Sequence, residues 1–177
     1  MPGTPERGRM KTARISLVIT TLAALLLQAQ GASAAEVAAE SMQSRVDAVI
    51  AEFGGLQTAP NEVAWDGGAT VLDLAPSPDA PAPEAATPLA RVALTVGGCA
   101  AGAHCIYSAS NYAGDKVTFT GCSSNESVAL LDGYVRSVAN ATANSTVRVF
   151  QGTSLLTRVA AGTGKKVSGA ATRIACS

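Results

Sequence analysis

Histidine and cysteine, the side chains most often used in acid–base or metal chemistry, are few in this 177-residue chain, and all lie in its second half. His104 is the single histidine, and Cys99, Cys105, Cys122 and Cys176 are the four cysteines. From Leu89 onward the carboxylates are Asp115, Glu126 and Asp132. A Ser or Thr nucleophile needs a base, and the one imidazole lies between two close cysteines, where it reads as a loop residue. Nothing in the spacing of the three carboxylates recommends a glycosidase-type pair. One histidine and the absence of any C-x-x-C argue against a Cys/His zinc site. These residues point to a non-catalytic protein with no resident cofactor.

The cysteines instead suggest cross-links, which depend on the compartment. Arg7, Arg9, Lys11 and Arg14 precede an uncharged apolar run, Ile15 to Leu27, and then Ala32-Ser33-Ala34 offers an A-x-A cleavage pattern. That order of basic, apolar and small residues is a secretory signal peptide over residues 1–34. The apolar run would span about 20 Å as a helix, short of the roughly 30 Å hydrocarbon core. The expectation is a secreted, extracellular monomer with no membrane segment after cleavage. In an exported chain four cysteines read as two disulfides with three pairings open. The preferred set is Cys99–Cys105, closing a short Gly-containing loop, with Cys122–Cys176 tying an early strand to the last.

The elements that would position these residues fall into two unequal parts. Residues 75–88, APSPDAPAPEAATP, hold five of the eight prolines and read as a semi-rigid linker. Residues 35–88 carry nine acids and one base, Arg45, a net of −8; residues 89–177 carry eight bases and three acids, a net of +5. The formal zero of the whole chain argues against a nucleic-acid binder recognised by bulk charge. It conceals an acidic leader, 35–74, ahead of a basic module, 89–177.

In the leader, Met42, Val46, Val49, Ile50 and Phe53 mark one face of an amphipathic helix, stopped by Gly54-Gly55. Glu62–Trp65 and Thr70–Leu74 flank Asp66-Gly67-Gly68, a hairpin signal. Forty residues of helix and hairpin bury little core alone. The segment reads as a loosely ordered spacer or as a pro-segment docked on the module through complementary charge. The module reads as all-β, with strands at Val92–Val96, Lys116–Thr120, Val135–Ala139, Thr146–Phe150 and Leu155–Val159 separated by Gly, Ser and Asn.

Tyr107-Ser-Ala-Ser-Asn-Tyr112-Ala-Gly114 resembles the opening hairpin of a βγ-crystallin Greek key, in which the glycine takes a positive φ and the aromatics pack beneath it. Asp132-Gly133-Tyr134-Val135-Arg136-Ser137 sits where that family places its calcium-binding segment. Gly133 and Arg136 replace two of its usual ligand types, leaving Asp132 and Ser137 as a weak calcium candidate. A degenerate second copy follows: Phe150-x4-Leu155 echoes Tyr107-x4-Tyr112, and Ser168–Cys176 echoes Asp132–Asn140. The resemblance implies a βγ-crystallin-like double Greek key behind a small α+β leader.

Cys99-Ala-Ala-Gly-Ala-His-Cys105-Ile-Tyr107 is also similar to the C-x-x-G-x-x-C-x-Y opening of secreted actinomycete metalloproteinase inhibitors of βγ-crystallin type. That precedent favours the Cys99–Cys105 pairing and implies a binding partner, an extracellular protease with a metalloprotease preferred. The family's inhibitors carry a short disulfide-closed loop late in the second half, and this chain has no second close pair of cysteines. The candidate protease-facing loops are therefore Gln151-Gly152-Thr153-Ser154 and the tract from Ala161 to Lys166 with Gly162, Thr163 and Gly164. The rival reading is a non-inhibitory module that adheres to anionic cell-wall polymers or acts as a small antimicrobial toxin.

Overall fold

The apolar face of Met42, Val46, Val49, Ile50 and Phe53 is realised as α1, Ala34–Phe53, in the computed structural model, which describes residues 34–77 and 96–177. The signal-peptide reading, most of the proline linker and all but the last residue of the 92–96 strand lie outside the described residues. Helix α1 ends where expected. Gly54 takes φ 70° and its N–H donates to the Ile50 carbonyl at 2.9 Å. The indole N–H of Trp65 donates to the Phe53 carbonyl at 3.0 Å, satisfying one of the orphan acceptors at the helix end.

The predicted hairpin forms as β2, Glu62–Trp65, and β3, Thr70–Asp73, with an unpredicted strand β1, Leu56–Ala59, on its outer side. The module adds β4, His104–Tyr107; β5, Lys116–Phe119; β6, Glu126–Ser127; and β7, Ser137–Asn140. Four more strands follow: β8, Val147–Gln151; β9, Ser154–Val159; β10, Thr163–Lys166; and β11, Arg173–Cys176. All named pairings are antiparallel.

The strands make two sheets. The smaller runs β6-β11-β8-β9, and the larger runs β1-β2-β3-β5-β4-β7-β10. Without the leader's three strands, the two sheets follow one scheme. Strands β4 to β7 form one unit and β8 to β11 another, and each unit sends its third strand, β6 or β10, to the edge of the other's sheet. Neither unit has a complete sheet alone, so each needs the other to form.

The leader is neither a loose spacer nor a body docked through bulk charge. Strand β3 pairs with β5 in continuous register from Thr70↔Phe119 to Asp73↔Lys116. Val46, Val63, Leu72 and Leu74 share one buried cluster with Ile106, Val117, Val138 and Ile174 of the module. Burial of apolar surface and completion of a sheet edge therefore hold the leader in place. The two ion pairs across the seam divide on the bulk count. Lys116–Asp73 at 3.0 Å follows the net charges of the two parts, whereas Arg45–Asp115, also at 3.0 Å, joins the leader's one base to a module acid.

Candidate functional site

The two tracts expected to face a protease differ in kind. Gln151 to Ser154 forms the tip of the β8–β9 hairpin, and all four residues are exposed. Gly152 has φ 57°, and its N–H donates to Thr172 Oγ1 at 2.8 Å. The Thr172 N–H donates to the Phe150 carbonyl at 2.8 Å. The hairpin is thus clamped at its base by a neighbouring loop and presents a tip with little left to order on binding.

The second tract is not a free loop. After a turn at Gly162, Thr163 to Lys166 is strand β10, paired with β7 from Thr163↔Asn140 to Lys166↔Ser137. Gly164 is a packing position, because a Cβ there would run into the Tyr112 side chain, as it would at Gly97. The pattern of Gly and Lys obscured this strand. Its backbone is held by the partner strand, with no β-branched face of its own to advertise it.

The aromatic-x4-aromatic-x-Gly segment builds the hairpin between β4 and β5. Tyr107 and Tyr112 meet edge to face, with ring centroids 5.6 Å apart. Tyr107 is buried and donates its hydroxyl to the Gly97 carbonyl at 2.9 Å. Burial first, then the neighbouring Tyr112 and Asp73, push its phenol up to about 12. Gly114 takes φ 78°, and a side chain there would collide with Ser108 Oγ.

Ser137 completes the same corner. Its hydroxyl donates to the Ala109 carbonyl at 2.7 Å and accepts from the Tyr112 N–H at 3.0 Å. The hydroxyl is committed to holding the hairpin over the sheet. Asp132 stands exposed in a left-handed conformation at the end of a short 3-10 turn, Ala129–Leu131. Among the described residues no group of three His, Cys, Asp or Glu side chains could hold a metal ion.

Cysteines Cys99 and Cys105 are bonded, and so are Cys122 and Cys176. The first bridge joins β4 to the turn before it, and the intervening loop is fastened to Ala141 by the Gly102 N–H and the Ala103 carbonyl, each at 2.9 Å. The second bridge pins the segment before β6 to β11, far in sequence from the β8–β9 tip. It therefore does not supply the missing loop closure there.

His104 corrects the loop expectation. It is the first residue of β4, fully buried, with Nε2 2.5 Å from Glu126 Oε2 and its ring stacked on Phe119 at 5.2 Å. Glu126 Oε1 accepts the Ser123 N–H at 3.1 Å. Two candidate catalytic groups thus engage each other through one nitrogen and one oxygen, and a buried Glu gains the partner that burial demands, while His104 Nδ1 is buried without a partner among the described residues. Above them, a cleft of about 480 Å³ at the leader–module seam is lined by Phe53, Trp65, Phe119, Glu126 and Leu130.

Sequence comparison finds a match that falls inside the module. Residues 95–161 match the model of peptidase inhibitor family I36. No curated protein and no solved structure matches the chain. Among the described residues no helix is long and apolar enough to cross a membrane.

Proposed function

Because residues 95–161 match the model of peptidase inhibitor family I36, we propose that this protein is a secreted, non-catalytic inhibitor of an extracellular peptidase, preferably a metallopeptidase. The family match is the observation that carries the reading. The clamped, exposed β8–β9 tip is the segment we assign to the peptidase, since rigid presentation limits the entropy lost on binding. The exchange of β6 and β10 between the two four-strand units supports a double Greek key of βγ-crystallin type. The mutual engagement of His104 and Glu126 supports binding over catalysis, and the engaged Ser137 hydroxyl supports a structural turn over a calcium site.

Titration of the purified secreted chain against a thermolysin-like metallopeptidase and a subtilisin-like serine peptidase tests this. Stoichiometric loss of metallopeptidase activity is expected. No inhibition at micromolar protein, together with salt-sensitive retention on cell walls, would instead establish the wall-adhesion alternative.

A further inference from the structure

Three of the module's eight bases gather on one face. Along β8, Val147 and Val149 are buried, so Arg148 and Phe150 project from the opposite, outer face of the smaller sheet. The register places Arg158 of β9 and Ala175 of β11 beside Arg148, and Leu155 of β9 and Arg173 of β11 beside Phe150. Three guanidinium groups, a phenyl ring and a leucine thus share one face. Strands β8, β9 and β11 contain no acid, and Glu126 of β6 turns inward to His104. Among the described residues none of Arg148, Arg158 and Arg173 is in an ion pair.

Two details make this face costly for the free protein. Arg148 and Arg158 stand directly opposite each other across the strand pair, an arrangement of like charges that destabilises a sheet. The Nε of Arg148 is shielded from solvent and meets no acceptor. A third detail is preorganisation. The Arg173 guanidinium lies over the Phe150 ring, 4.2 Å from its centroid, while one of its nitrogens donates to the Ser124 carbonyl at 3.2 Å. Strand β9 is moreover a sheet edge, and Leu155 on it is 47% exposed.

We infer that this face and edge form a docking site for an acidic, extended polypeptide segment that adds as a strand along β9. Carboxylates would pair with Arg148 and Arg158, apolar side chains would cover Leu155 and the rim of Phe150, and the backbone would use the open edge. A charged polymer without a peptide backbone would use the guanidinium groups alone, which leaves the leucine and the edge unexplained. The inference holds whether or not the segment belongs to a peptidase, and its test does not depend on inhibition.

The probe is a synthetic peptide alternating glutamate with threonine, titrated against the full chain by fluorescence anisotropy, with its lysine counterpart as control. The glutamate peptide should bind, the lysine peptide should not, and the β9 amides should gain protection from hydrogen exchange. Arg158→Gln should weaken binding about tenfold, the loss of one charge-assisted contact. Its unfolding midpoint should be unchanged or raised, because the Arg148–Arg158 repulsion is relieved; a merely structural arginine would lower it. Absent binding, equal binding by Arg158→Gln, β9 amides left unprotected, or binding of polyphosphate without binding of the peptide would each overturn the inference.

Discussion

The two four-strand units follow the same plan but treat their outer edges in opposite ways. In the first, the edge strand β5 is covered by β3 of the leader, and Tyr107 of the aromatic hairpin is buried and hydrogen-bonded. In the second, the corresponding edge β9 has no further strand beside it, Phe150 holds the register place of Tyr107, and Leu155 holds that of Lys116. An exposed edge is a standing invitation to pairing. The chain closes one with its own acidic segment and leaves the other beside a row of arginines. The contrast separates a half built for stability from a half built for contact.

The largest effect should come from breaking the covered edge. Leu72 of β3 is fully buried in the shared core, so Leu72→Ala should lower unfolding free energy by about 2–5 kcal/mol in chemical denaturation. Leu155→Ala on the bare edge should change it by less than about 0.5 kcal/mol. Equal effects would end the distinction between the halves.

Alkaline pH probes the same contrast through a hydroxyl that only the first half possesses. The Tyr107 phenol is raised to about 12 in the fold, so above the ordinary value near 10 the unfolded chain ionises first. Stability should be intact below pH 10 and fall between pH 10 and 12, by on the order of 2–3 kcal/mol. Tyr107→Phe should remove most of that slope, at about 1 kcal/mol for the lost hydrogen bond at neutral pH. A slope unchanged in Tyr107→Phe would place the alkaline sensitivity elsewhere.

The smallest effect concerns the seam's polar contacts. Asp115 accepts from Arg45 at 3.0 Å and from the Ala75 N–H at 2.7 Å, and both side chains are partly exposed. Asp115→Asn should cost about 1 kcal/mol or less and lose part of that penalty in high salt. A larger loss would mean that charge, not the core, holds the leader.

Much of this architecture was legible in the chain. Helix periodicity, the Gly54-Gly55 stop and the Asp66-Gly67-Gly68 hairpin are local patterns, and local patterns survive into the fold. The internal echo was legible in part: Tyr107 closes β4 as Phe150 nears the close of β8, and Ser137–Asn140 and Arg173–Cys176 are β7 and β11, whereas Leu155 lies in β9 and does not take the place of Tyr112. What escaped was non-local. Strands β1, β6 and β10 are short or rich in small and charged residues, and each exists because a neighbour offers a free edge. His104 escaped because its flanking cysteines suggested a loop; only Glu126, 22 residues away, makes a buried imidazole tolerable there.

The sequence by itself determined the all-β module, its aromatic corner and the separation of acidic from basic residues, since all are carried by residue types and their order along the chain. Only the tertiary structure decided which edge the leader covers and on which face the arginines gather. Those depend on strand register, and register is settled by which side chains the shared core accepts, not by any one segment alone.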